Sequence, residues 1–432
     1  MDKNRIHLFR RRRETDKRYR RYVRCLTVIL LSVVMLCAGC TVKDAEGSSA
    51  GGSGEQTAAA DSRQNEAGSN TEAAPKTETA ATASRSWNNM SPVSSMDLLY
   101  ADQFSVDYYE NDISLITIGD TDQFLLLPEG MSAPVGLPDS IKILQKPVKN
   151  IYLVATSAMD DFIHLDAMDL IALSGTKDTG WYLPEAKTAM EEGKIAYAGK
   201  YSAPDYEKIL SSDCGLAVES TMIYHTPEVK EQLERLGIPV LVERSSYEGH
   251  PLGRMEWIRL YGVLTGKEAE AEQIFRENID ALSDVLDMEP SGKTAAFFYV
   301  TNSGSVNVRK NGDYIAKMIA LAGGTYIPGN AGSDENALST MNMDFESFYA
   351  AAKDADVLIY NSTIDGELTA IDELCAKNQL FADFKAVKEG NVWCTGKNMF
   401  QETMGLGDMI RDMNAVFADD TEYSFTYLHQ LK

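Results

Sequence analysis

Trp257-Ile258-Arg259-Leu260-Tyr261-Gly262-Val263-Leu264-Thr265-Gly266-Lys267-Glu268, continuing to Met288-Glu289-Pro290, is the stretch on which the fold turns. Thr265 followed three residues later by Glu268 is a capping-box pattern, which marks a helix start. Beyond it Ala271, Ile274, Phe275, Ile279, Leu282, Val285 and Leu286 recur at helical spacing between charged and amide residues. Pro290-Ser291-Gly292 stops the run. A helix from Gly266 to Met288 would be about 34 Å long at about 1.5 Å per residue. α/β patterns on both sides make it a stiff spine between two lobes, against the plainer reading of a surface helix on one large domain.

The chain of 432 residues is long enough for two or three domains. Its first 24 residues carry 11 Lys and Arg against 3 Asp and Glu, and an apolar run from Cys25 to Leu36 closes on Cys37-Ala38-Gly39-Cys40. A run of about twelve residues is short for a membrane span and right for a signal-peptide core. An uncleaved single-span anchor is the alternative. The Ala-Gly-Cys ending resembles a bacterial lipoprotein lipobox, departing from it at Cys37 and in its long basic leader. That resemblance implies a signal peptide over residues 1–39 and makes Cys40 the lipidated first residue. The arginines read as the positive flank of a targeting run rather than a nucleic-acid tail.

Removing the leader's 11 basic and 3 acidic residues from the 41 and 64 of the whole chain leaves 30 against 61. So acidic a chain is a poor partner for nucleic acid or anionic lipid. Once Cys40 is set aside, Cys214, Cys375 and Cys394 remain, too few for a disulfide framework. Whether Cys375 and Cys394 pair or stay as buried thiols is open at this level.

Residues 40–86 are Ser, Gly, Ala, Thr, Glu and Asn with almost nothing apolar, so they read as a flexible tether. From Trp87 to Leu264 the pattern is that of an α/β lobe. It opens with a hairpin, Phe104–Tyr108 and Ser114–Ile118 around Glu110-Asn111-Asp112, and a third strand from Phe124. Strands at 151–155, 170–174, 195–198, 215–218 and 239–242 then alternate with helices. One of these helices follows a Gly-rich aromatic loop, Gly175 to Tyr182. Residues 265–289 form the connecting helix, and 290–432 restart the alternation as a second lobe. The fold class is α/β: two Rossmann-like lobes joined by one long α-helix. Asp205-Tyr206-Glu207 and Asp344-Phe345-Glu346 repeat as Asp-aromatic-Glu at a short helix start, each feeding a buried strand, one per lobe.

The lipobox, tether, paired lobes and single connecting helix, in that order, resemble a substrate-binding lipoprotein of an ABC importer. Pro204 to Leu210, Glu219 to Leu241 and Gly249 to Trp257 match most specifically, over roughly Tyr100 to Phe417. The class it resembles binds iron–siderophore, haem or cobalamin. The resemblance implies a ligand cleft between the two lobes, in a monomer held at the outer face of the cytoplasmic membrane by Cys40, with no catalytic activity and no cofactor of its own. It also implies that Glu207 and Glu346 pair with arginines of the membrane permease, a task suited to charge-assisted carboxylate–Arg bonds. Glu228 and Glu256 are weaker docking candidates. A carboxylate that simply favours the positive start of its helix is the plainer reading.

For the ligand, Trp181, Tyr182, Tyr201 and Tyr247 offer aromatic faces to a planar macrocycle or catecholate. Arg309 and Lys310 offer cations to an anionic chelate. His250, which precedes the connecting helix, and Lys397 and Met399, which follow the second lobe's last strand, are further ligand candidates in the cleft. Three rivals stand against this reading, one of them a surface adhesin or signalling sensor with the same bilobal body. A free zinc or manganese importer lipoprotein needs His and carboxylate clusters, and His164, His225, His250 and His429 are not at metal spacing. A secreted α/β hydrolase wants a Gly-x-Ser-x-Gly elbow after a strand, and the sequence has none.

Overall fold

The computed structural model describes residues 86–329 and 340–432. Cys40, the expected signal peptide and nearly all of the expected tether lie outside the described residues. The first sheet runs Ser94–Ser95, Phe104–Tyr109, Ile113–Ile118, Asp122–Leu127 and Ile141–Gln145 in chain order. Its central hairpin turns where Asn111 and Asp112 take positive φ, a conformation these side chains tolerate. Both faces of this sheet are covered, one by the main core and the other by Trp87, Met90, Met131 and Leu137.

The first lobe holds five parallel strands in the spatial order Val240–Glu243, Ala217–Ser220, Ile151–Leu153, Ile171–Ser174 and Ala196–Tyr197. Chain order reverses between Ile151–Leu153 and Ala217–Ser220, so the crevice at their carboxyl ends is a topological switch point. In the second lobe Thr294–Val300, Val357–Tyr360 and Val392–Thr395 are parallel, as the alternation implies. The structure adds antiparallel edges that the sequence reading lacked: Val306–Arg309 and Thr340–Met343 on one side, Leu428–Gln430 on the other. Cys214, Cys375 and Cys394 are free thiols.

The expected long helix is shorter than its periodicity suggests. Trp257–Thr265 ends at Gly266, whose φ of 75° closes the helix. The hydroxyl of Thr265 turns back to the Tyr261 carbonyl at 2.8 Å, so no capping box forms. The connecting helix proper is Glu268–Ala281, about 21 Å long, followed after Leu282 by the single turn Ser283–Leu286. It still spans the lobes. At its start Lys267 donates to the carbonyls of Leu165 and Asp166, and Tyr108 donates to Glu268. At its end Arg411, on the closing helix Leu406–Ala418, donates to the Ala281 carbonyl, and Leu282 meets Gly407.

The element that everything leans on is the pair of helices just before it, Pro251–Met255 and Trp257–Thr265. Apart from Arg259 and Thr265, every residue from 251 to 265 is buried. Trp257 meets Phe104 of the first sheet edge to face, and Arg254 stacks on Tyr314 of the second lobe. Glu256, fully buried, accepts the amides of Leu99, Tyr100 and Ala101 and pairs with Arg259. That placement removes Glu256 from the docking candidates. One cluster of buried side chains runs without a break from Phe104 through Trp257 and Phe275 to Ile315, Met409 and Leu428.

Gly262 is where the two helices touch most closely: a Cβ there would sit 2.5 Å from the Cβ of Ala271. Gly262→Ala is expected to lower stability by about 1–3 kcal/mol through overpacking. Adding Ala271→Gly should recover part of that loss. Urea unfolding of the single and double variants reads both effects.

Candidate functional site

The alternation of one antiparallel edge builds the floor of a cleft. On Thr294–Val300 and Val306–Arg309, the side chains of Phe298, Val300, Val306 and Val308 enter the second lobe's core. Tyr299, Asn307 and Arg309 therefore share the opposite face, with Tyr299 directly across from Asn307 and Arg309 across from Thr340. Asn307 donates to Asn342 at 2.7 Å on the same face.

The walls come from segments that follow strands. Asn361, Thr363 and Ile364 follow Val357–Tyr360, and Phe400 follows Val392–Thr395. Asp313 and Tyr314 start a helix, Ser246 follows the last strand of the first lobe, and Arg254 closes the back. The cleft has a volume of about 650 Å³, within the usual range for a small-molecule site.

Its charged groups are held rather than loose. Arg309 lies between the rings of Phe297 and Phe400, at 5.7 and 5.3 Å, and pairs with Asp313 at 3.5 Å. Burial pushes the Asp313 carboxyl up, while Arg309 and the Ile315 amide pull it back. Three contacts beside the cleft tie the lobes together. Gln401 accepts from the Tyr182 amide and donates to the Gly180 carbonyl, both at 2.8 Å. The Thr403 hydroxyl donates to the Ser157 carbonyl, and the Met404 amide to Asp160.

Of the ligand residues expected from sequence, Arg309 lines the cleft, although it sits on a strand and not in a loop. Lys310 and Lys397 are half-buried beside the lining but not part of it. Trp181 is a correction: only 3% exposed, it donates to Ser174 and belongs to the main core. Met399, 2% exposed, is likewise core. Both directly precede the side chain that is free to face outward, since each turn buries one residue as it exposes the next. Tyr182 is exposed, on the first-lobe side of the Gln401 bridge. Tyr201 packs against the first lobe's second core, Tyr247 lies under the Arg244 guanidinium, and His250 stacks on Tyr100 and caps a helix. Among the described residues no three His, Cys, Asp or Glu side chains form a metal-holding group.

The repeated motif is capped in the same way in both lobes. Asp205 caps Tyr206–Ser211 through the Lys208 amide, and Asp344 caps Phe345–Ala352 through the Ser347 amide. Glu207 and Glu346 stand exposed on the first turns, as does Glu228 on Pro227–Arg235.

A sequence model of the periplasmic binding protein family matches residues 155–399, and the chain belongs to that family. Two uncharacterized lipoproteins of Methanocaldococcus jannaschii resemble it along most of their length. One is 26% identical over 334 residues, which is 70% of this chain and 77% of the relative. The other is 27% identical over 309 residues, 68% and 75% respectively. Among solved structures, a periplasmic heme binding protein from Pseudomonas aeruginosa superposes with a TM-score of 0.50 at 15% identity, covering 66% of this chain and 98% of that one. The shared fold is the two-lobed one described above.

Sequence reading also passed over Glu219, on the strand Ala217–Ser220. It is fully buried, neither carboxyl oxygen has a hydrogen-bond partner, and burial raises its pKa from the usual carboxylate range to about 8. The folded chain thus holds a proton that the unfolded chain has already released. Its contribution to stability is present at low pH and falls as pH rises toward about 8. Between about pH 6.5 and 8 the wild type should lose up to about 1.4 kcal/mol per pH unit more than Glu219→Gln. Urea midpoints across that range check it.

Proposed function

We propose that this chain is the capture component of an ABC importer for a metal chelate: an iron–siderophore, haem or a corrinoid. The observation that carries the reading is the 650 Å³ cleft, walled mostly by the second lobe and closed by Ser246 and Arg254 of the first, in a member of the periplasmic binding protein family. The role is capture and delivery, not catalysis. In this reading residues 1–39 are removed and Cys40 carries the lipid at the outer face of the cytoplasmic membrane. Residues 40–86 are the tether, and the lobes 87–264 and 290–432 work as a monomer around the connector 265–289. The lipoprotein names of the two archaeal relatives support the anchor.

Glu207 and Glu346 are the permease contacts. A helix that feeds a parallel strand returns along the sheet, so its first turn lies at the edge where strands end. In this reading both carboxylates face the permease from exposed first turns, one per lobe, on helices that Asp205 and Asp344 cap. Matched anions on both lobes suit a receptor that reads their spacing and orientation.

Thermal unfolding of the purified full-length chain in detergent, with ferric siderophores, haem and cobalamin in turn, tests the cargo. A true ligand at a hundred times its Kd adds about 2.7 kcal/mol, a shift of several degrees. A transition that none of them moves ends this reading. Glu207→Lys together with Glu346→Lys should abolish uptake and leave ligand affinity unchanged. A fall in affinity would instead place those carboxylates at the cargo.

A further inference from the structure

Arg254 sits on the helix Pro251–Met255 with its guanidinium 4.1 Å above the Tyr314 ring, at the back of the cleft. It is 7% exposed, and its Nε has no hydrogen-bond partner. Among the described residues no carboxylate comes within ion-pair distance of it. Asp313, nearest on the cleft side, is engaged by Arg309 and the Ile315 amide. On the buried side lies Asp161, 2% exposed, with one carboxyl oxygen also unpartnered. Burial, with Asp160 and Glu243 nearby, pushes the Asp161 carboxyl well above its usual range while Arg254 pulls it back, and no ion pair forms between the two.

A guanidinium is always charged, and burying one without a partner is heavily penalised. A fold that nonetheless holds one rigidly against an aromatic ring at the wall of an open cleft has a place prepared for an anion that arrives from outside. The rest of the lining fits an oxygen-rich visitor. Arg309 is a second cation, Asp313 is the single acid, and Asn307, Asn361, Thr340 and Tyr299 offer hydrogen bonds. This cationic lining belongs to a chain whose net charge is −23, so the positive character is local to the site.

We infer that the cleft selects an anionic, carboxylate-bearing metal chelate, and that Arg254 is the residue that receives the carboxylate while Arg309 supports it from the sheet. The inference rests on the capture reading above and narrows it: neutral corrinoids and cationic hydroxamate chelates are excluded by the unpaired guanidinium they would bury.

The full-length chain in detergent is titrated with ferric citrate, haem, ferrioxamine B and cyanocobalamin, in the wild type and in Arg254→Met and Arg254→Lys. The tightest ligand is expected to be one of the two carboxylate chelates. Its affinity should fall about a hundredfold in Arg254→Met and less in Arg254→Lys. Free citrate should raise the unfolding temperature of the wild type and leave Arg254→Met unmoved. Without ligand, Arg254→Met should melt at or above the wild-type temperature, because an unpaired charge has been removed.

Tightest binding of cyanocobalamin or ferrioxamine B overturns this inference and leaves the capture reading standing. Binding of none of the four, with no response to citrate, ends both. An apo Arg254→Met that melts well below the wild type would show that Arg254 already has a structural partner, and would equally overturn it.

Discussion

A helix pair buried on nearly every side has little solvent-facing stripe on which to place polar groups, so most of the polar side chains it carries are answered inside the protein. Pro251–Thr265 is in that position, and the architecture follows from how its polar groups are answered. Glu256 points to the first sheet and takes three successive amides, Leu99, Tyr100 and Ala101. Glu248, just upstream, takes the next two, Asp102 and Gln103, and the Trp257 indole. Five consecutive backbone donors of an extended segment thus end on two buried carboxylates. These bonds fix the first sheet against the helices rather than leaving it as an appendage.

The same helices place the cleft. Arg254 and Trp257 leave the axis in different directions, one toward Tyr314 and the cleft, the other toward Phe104 and the first sheet. Because the main core continues through them into the second lobe, the two lobes share one hydrophobic interior. Separating them would expose apolar area at about 25 cal/mol per Å², so wide opening is opposed by the same burial that stabilises the fold. The short connecting helix Glu268–Ala281 adds stiffness to an arrangement already held by packing.

Much of this was legible in the chain because it depends on local rules. Alternation and an Asn-Asp turn gave the first hairpin, and the Asp-aromatic-Glu repeat gave matching capped helices. What was not legible depends on contacts distant in sequence. Thr265 and Glu268 have the right spacing for a cap, but Gly266 in a left-handed conformation makes Thr265 the end of one helix instead of the start of the next. Trp181 and Met399 sit in turns where composition does not say which neighbour faces inward. The cleft floor was half visible: polar residues at alternate positions in Val306-Asn307-Val308-Arg309 are a strand signal, hidden by a neighbouring Asn-Ser-Gly-Ser turn that reads as loop. Arg254 gave no signal, because nothing in sequence separates a buried unpaired arginine from one on the surface.

The bridge made by Gln401, Thr403 and Met404 to Gly180, Tyr182, Ser157 and Asp160 gives the pocket a front and a back. It stands beside Phe400, at one end of the lining, whereas Ile364, 65% exposed, stands at the rim. Such a vessel is a cup more than a jaw. In the capture reading, whatever receives the contents then disturbs the lip instead of waiting for the two halves to swing apart.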